Sequence, residues 1–505
     1  MDGRQASSLV PLATLVSGCH AMIDLPRSPN FPRRDPRRLL LPSLLVVLLS
    51  ARLVLLIPVA DEPERSLTPD SQGYLDLAES LRTKGTFQAD DYTEAIRTPG
   101  YPLYLAAVQS VFGGLIVPAI AVQILLSIGV AGLVLVTGTI STRSSVVGWA
   151  AAFLWALNPN SIFWPLTILS ETLFAVLLAA ALLALAVAMR RESRLGYAGS
   201  GLILGAAILV RPIGIYLIPL WTAALLVHGL RRQGWRRGWT AAVLLGLAAS
   251  SPVVGWSARN QYVHGEFYFS EIQSTTVRSF MLARALADAR GLSRSEAAQL
   301  ISDSSDLGAW TRQIFLESPW SIPKVIVGGM ARTALGTESE TWLEMAGLPG
   351  ASRGLLTNLL AGDWRGTLEG LKTLFGSREG ALSSVLMIWG GLYAVAVWLA
   401  ALLGWLRNHA RLDAVGTTAW WLAALSVVYL VASPLANGDA RFRMPADPYL
   451  AFLGAIVLIA WPVTRRIDPG KAPSGRTDPG AITATAGAGE PFTPGHRDRP
   501  LELRP

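Results

Sequence analysis

Cysteine is all but missing: Cys19 is the only one in 505 residues. That excludes an intrachain disulfide and a thiolate metal cluster. Charge is scarce as well, at 15% of residues against 51% hydrophobic, with a mean hydropathy of +0.40. This balance excludes a soluble globular chain and points to the bilayer. The chain also lacks a convincing internal repeat of the kind many transporters carry. Its formal charge of +8 makes no case for nucleic acid, because the arginines behind it fall in short clusters between apolar runs.

Those runs are near the length a helix needs to cross roughly 30 Å of hydrocarbon, and in lipid they must pair their own backbone groups. Ten spans are expected, at about 39–59, 115–140, 146–164, 171–189, 196–211, 213–230, 239–257, 384–406, 416–435 and 446–464. The fifth holds Gly199, Gly201 and Gly205 and has the least certain ends. Arginine clusters at 33–38, 190–194, 231–237, 407–411 and 465–466 all fall on one side with ten spans, which makes that side cytoplasmic.

The expected organisation is a cytoplasmic tail (1–38), a membrane module (39–257) with a first outer loop (60–114), a large outer region (258–383), C-terminal membrane helices (384–464) and a disordered cytoplasmic tail (465–505) rich in Pro, Gly, Thr and Arg. The run 8–19, ending at Cys19, faintly resembles a lipoprotein signal. Its apolar core is short and holds Pro11, and Asp2 stands where basic charge belongs. A disordered inner tail, or a start at Met22, is the expectation there.

The outer loops carry the chemistry. Tyr74, Leu77, Ala78 and Leu81 recur at i, i+3, i+4 and i+7, predicting an amphipathic helix over 71–84 along the membrane surface, stopped by Gly85. Asp70 then sits at its N-cap, as a plain cap or as a carboxylate fixed for use as a general base; the two roles are compatible. Arg97-Thr98-Pro99-Gly100-Tyr101-Pro102 forms a stiff turn in which Gly100 permits close backbone approach.

Arg97 reads as a solvated arginine or as a grip on a lipid phosphate. Ser170-Glu171 opens the fourth span as a cap with a first-turn acid, or as site residues. Arg211, between the fifth and sixth spans, is functional or snorkels to the interface. Arg441 and Arg443 run against the inside-positive trend and suggest an anionic partner outside. The outer loop from 258 shows helix-like stretches at 281–301 and 308–317 with scattered tryptophans (Trp310, Trp320, Trp342, Trp364). It could be a lid, an acceptor-recognition region or an interfacial anchor.

The ordered set D-S-x-x-Y-x-x-x-A-x-x-L (70–81), R-T-P-G-Y-P (97–102), S-E-T-L-F (170–174), L-V-R-P (209–212), R-N (259–260) and R-F-R-M-P (441–445) resembles the GT-C glycosyltransferases. The bacterial branch akin to protein O-mannosyltransferases and aminoarabinose transferases is the nearest in pattern. The resemblance covers roughly 39–280 and 384–464 and implies an all-α polytopic fold. It also implies a polyprenyl-phosphate sugar donor, a base at Asp70, and donor-phosphate contacts from Arg97, Arg211 and Arg443. Tyr74, Tyr101, Glu171 and Arg441 are further site candidates. Family members often place two acids together where this chain has Asp70-Ser71, so no metal and no cofactor are expected.

An outward-facing transferase has no nucleotide-sugar pool and needs a donor delivered in the membrane. The acceptor hydroxyl could belong to a glycolipid, a polysaccharide or a protein. The competing readings are a lipid or small-molecule transporter or flippase, and a non-catalytic assembly protein that has kept the fold.

Overall fold

The computed structural model describes residues 37–460, apart from 233, 303–305, 338, 346–354, 356–357, 360–361 and 377. Most of both expected tails, with Cys19 and Met22, lies outside the described residues. Among those described, every regular element is helical. Seven helices are long and apolar enough to cross a bilayer, or up to eight if one bent pair is a single span.

This is fewer than the ten spans expected, for identifiable reasons. The third run is broken into Ser145–Leu157 and Pro159–Leu166, bent by 68°. Pro159 opens the second piece, where its missing N–H costs nothing. The fifth, Arg194–Val210, has 17 residues, about 26 Å at 1.5 Å per residue, and the expected tenth span is described only as far as residue 460. The glycines of the fifth helix are packing devices. A Cβ at Gly201 would lie 2.4 Å from the Leu245 carbonyl oxygen, and one at Gly205 2.7 Å from that of Ala249. The backbone therefore rides directly on helix Trp235–His264, as small residues allow between membrane helices.

The break at residue 158 leaves carbonyls without helical partners inside an apolar bundle, and side chains collect them. Arg52, fully buried in the first span Arg37–Asp61, donates to the Ser161 carbonyl (2.9 Å), the Ser161 hydroxyl (2.8 Å) and the Leu48 carbonyl (2.7 Å). Ser127 also donates to the Ser161 carbonyl (2.8 Å), and Gln123 to the carbonyls of Pro165 (3.0 Å) and Thr167 (2.7 Å). No carboxylate among the described residues pairs with Arg52, so its charge is spent on backbone dipoles. Arg52→Ala orphans those acceptors, and a loss of about 3 kcal/mol is expected, seen as a lower unfolding midpoint of the purified protein in lipid.

Helix Glu171–Arg191 has 21 residues, about the thickness of the hydrocarbon core. Its first residue lies in the cluster described below. Near its other end, Arg190 pairs with Asp413, which Arg143 also reaches at 3.2 Å. Arg190, from the second arginine cluster, thus lies near the opposite end of this helix from Glu171.

In the large loop, Ala283–Arg290 and Arg294–Ser302 cover the expected stretch 281–301, split at Gly291, Leu307–Glu317 covers 308–317, and Ser321–Leu335 is a further helix. They enclose a small core of their own around Leu282, Leu286, Ala297, Ile301 and Ile314. Trp342 is buried and stacks on Phe163 at 4.5 Å, whereas Trp320 and Trp364 are exposed.

Candidate active site

Chain segments far apart in sequence bring charged side chains to one crevice. Helix Ser71–Lys84 forms where the apolar spacing placed it and ends on Gly85 in the left-handed region (φ 68°). Asp70 stands at its cap position without capping: its carboxylate bonds no helix N–H. Ser71 ties down this helix start instead, accepting from Thr68 N–H (2.9 Å) and donating to the Ile168 carbonyl (3.0 Å). The Asp70 carboxylate is thereby left for the arginines.

Arg97 follows helix Asp91–Ile96 in extended conformation, and Gly100 explains the turn after it. A Cβ there would lie 2.7 Å from the backbone of Leu209 and Val210, so only glycine lets this turn sit against the end of the helix that delivers Arg211. Arg441 comes from a 3-10 turn, Ala440–Arg443, capped by the Asp439 carboxylate.

The polar groups interlock. Arg97 donates to Asp70 Oδ1 (3.0 Å) and to the Tyr74 hydroxyl (3.0 Å), with its guanidinium over the Tyr74 ring at 4.3 Å. Arg441 donates to the other oxygen, Asp70 Oδ2 (3.0 Å). Its Nε lies 3.2 Å from Glu171 Oε1, which Arg211 Nη1 approaches to 2.7 Å. The Ser170 hydroxyl joins Tyr74 (3.2 Å) to Arg211 (3.2 Å), and the Phe442 ring lies beside Arg441 (4.8 Å) and Arg211 (5.8 Å).

Three guanidinium groups share the Asp70 and Glu171 carboxylates, and the Asp439 carboxylate also acts on Arg441. Glu171 is 2% exposed, and its Oε2, with Arg97 Nε and Arg441 Nε, is buried without a hydrogen-bond partner. The two orphaned guanidinium N–H groups, on Arg97 and Arg441, suit an anionic ligand. Among the described residues, no three His, Cys, Asp or Glu side chains are placed to hold a metal ion.

The cluster lines a cavity of about 610 Å³. Phe174, Val210, Ile213, Tyr216, Tyr429 and Leu430 give it an apolar side, and Gln273, Thr275, Thr276 and Asn437 add polar groups. Of the residues singled out in the sequence, Asp70, Tyr74, Arg97, Glu171, Arg211 and Arg441 line it. The structure brings neither Tyr101 nor Arg443 to it.

Tyr101 is buried behind Tyr74, edge to face at 4.9 Å, and donates to Gln123 (2.8 Å). Arg443, expected on a donor phosphate, is 2% exposed and spent elsewhere. It pairs with Asp447 (3.2 Å) and donates to the carbonyls of Ala334 (2.5 Å) and Gly336 (3.4 Å). The tight 3-10 turn sends Arg441 and Arg443 to different surroundings. Residues 272–280, unremarked in the sequence, contribute a wall that includes part of a π-helix, Thr276–Leu282, a form frequent at functional sites.

Burial works to raise the Asp70 carboxyl, but Arg441 and then Arg97 outweigh it and hold the group below the ordinary carboxylate range. Asp70 is therefore ionised throughout the neutral range. Because its folded pKa is depressed, its contribution to stability is complete above about pH 4 and fades as pH falls through the folded value. Rates that depend on ionised Asp70 should be flat from pH 8 down to 5. Arg97→Gln should move the acid limb upward, a shift read from the pH profile of turnover.

Residues 96–256 match the family profile described as Dolichyl-phosphate-mannose-protein mannosyltransferase. No curated protein sequence matches the chain. Among solved structures, the oligosaccharyltransferase AglB of Archaeoglobus fulgidus, with an inhibitory peptide and a dolichol-phosphate, is similar at 14% identity and a TM-score of 0.46, over 82% of this chain and 50% of that one. The same archaeal enzyme tethered to an acceptor peptide gives 13% and 0.45, over 82% and 49%. ArnT of Cupriavidus metallidurans, bound to undecaprenyl phosphate, gives 16% and 0.35, over 83% and 77%. The chain spans about half the length of the archaeal enzyme it matches.

Proposed function

We propose that this chain is a GT-C glycosyltransferase that moves a sugar from a polyprenyl-phosphate donor to an acceptor hydroxyl with inversion. The observation that carries this reading is the convergence of Arg97, Arg211 and Arg441 on Asp70 and Glu171 at a cavity with one apolar side. A lipid-linked sugar phosphate needs both features: cations for the phosphate and apolar surface for the first prenyl units. Arg190 and Arg143 meet Asp413 near the end of helix Glu171–Arg191 away from the crevice, which supports a crevice on the outer face of the cytoplasmic membrane.

The acceptor oxygen attacks the anomeric carbon while the bond from that carbon to the phosphate oxygen breaks. Asp70 takes the hydroxyl proton, and the pair of electrons leaves with the polyprenyl phosphate, whose charge Arg441 and Arg211 meet. Glu171 touches no reacting atom; it holds those two arginines in register from a buried position. Tyr74 orients Arg97 through its hydroxyl and ring.

The test is sugar transfer by the purified protein in lipid, across a panel of polyprenyl-phosphate sugars and acceptor extracts. A labelled glycosylated product and free polyprenyl phosphate in equal amounts are expected. Movement of the lipid across the bilayer without any product would overturn this reading in favour of a transporter.

A further inference from the structure

Two ion pairs close within the small helical core of the large loop. Arg290 pairs with Glu317 (2.8 and 2.6 Å), and Lys324 with Asp288 (2.5 Å). Arg284 and Arg332, both half-buried, are bonded differently. Each donates to the carbonyl oxygen of Ala436, Arg332 at 2.8 Å, and Arg332 also reaches the Gly438 carbonyl at 3.3 Å.

Two N–H donors on one oxygen place the guanidinium groups within about 6 Å of each other. No carboxylate among the described residues pairs with either. Burial first, and then the charges of Arg294 and Arg332, push Arg284 down to about 10. Arg294 likewise adds to burial in lowering Arg332. Arg294 itself, exposed at the head of helix Arg294–Ser302, has no ion pair or hydrogen bond among the described residues.

Three mutually repelling arginines on three helices, two of them half-buried, are costly as a purely structural arrangement. Two arginines are more than one backbone carbonyl requires. Backbone carbonyls satisfy some N–H groups and neutralise no charge, whereas a phosphate would do both.

We infer that Arg284, Arg294 and Arg332 form a second anion site, separate from the crevice, that takes a phosphate group. The phosphate can be free or carried on a lipid headgroup, since the recognising chemistry is the same. The site stands on its own, whether or not the crevice is a transferase. It also touches the crevice indirectly, because Ala436 lies between Leu435 and Asn437, which line it. Leu435 there holds a positive φ of 53°.

The experiment uses the full chain in maltoside micelles, which contain no phosphate. Sodium phosphate, with sodium chloride at matched ionic strength as control, and short-chain phosphatidic acid are titrated separately. Binding is read as a rise in unfolding temperature and, for the lipid, as adducts in native mass spectrometry. The wild type should bind, and Arg294→Gln should weaken binding about tenfold, the loss of one charged hydrogen bond. Arg332→Gln should do the same if it folds; the exposed Arg294 variant keeps the test decisive if it does not.

A response to both ligands assigns the site to phosphate in general, and a response to the lipid alone assigns it to headgroups. No binding of either ligand by the wild type, or equal binding by Arg294→Gln, overturns the proposal.

Discussion

Asp70→Asn is expected to cut turnover by about 10²–10⁴, the usual worth of a general base, while donor binding holds or tightens. The second half of that result separates catalysis from architecture. Asparagine keeps the shape and one acceptor oxygen but removes the negative charge that Arg97 and Arg441 share. Both guanidinium groups are then freer for the donor phosphate. A residue needed only for folding would lower the amount of active protein without splitting kcat from KM in this way. Steady-state kinetics with purified wild type and variant, matched for folded protein by thermal unfolding, make the comparison. A variant with wild-type turnover would remove Asp70 from the chemistry and turn attention to Glu171, the other carboxylate in the crevice.

Arg441→Gln is expected to lower kcat by about 10²–10³, the cost of deleting one preorganised donor to developing charge. Arg443→Gln, two residues away, should leave kcat of the folded protein within a few-fold. It should instead destabilise the fold by about 3–5 kcal/mol, because Asp447 would stay buried with its cation gone. The pair is informative because the sequence treats the two arginines alike. Kinetics and unfolding measured on both variants would show opposite signatures. Equal kinetic losses would mean that Arg443 reaches the reacting groups in a state other than this one.

That arginine pair also marks the limit of sequence reading for this chain. R-F-R-M-P supplied two cations on the expected side but no direction for either, since direction depends on a 3-10 turn set by the Asp439 cap. Glu171 and Arg211 were legible as charges at the edge of apolar runs, where an unneeded charge is disfavoured, and Asp70 and Arg97 as a cap position and a stiff turn in the first outer loop. Arg52, inside the first span, and the breaker Asn158-Pro159 in the third were passed over, although the sequence holds both signals.

Their consequence lay beyond local pattern: Arg52 and the break are 109 positions apart at their contact. Helix Ser71–Lys84 could be predicted from spacing alone, because its apolar stripe is short-range information. The π-helical wall had no counterpart in composition or period. Its wider turn adds strain relative to an α-helix and depends on surroundings from other segments.

The double clamp on Asp70 has a kinetic consequence. With both carboxylate oxygens engaged by Arg97 and Arg441, the group is a poor proton acceptor. An entering donor phosphate draws on the same guanidinium groups, and their hold on Asp70 slackens as they turn to it. Basicity then rises only after the donor has arrived. On this reading the two substrates bind in a fixed order, donor before acceptor, and an acceptor or a water that arrives first meets a base not yet able to deprotonate it.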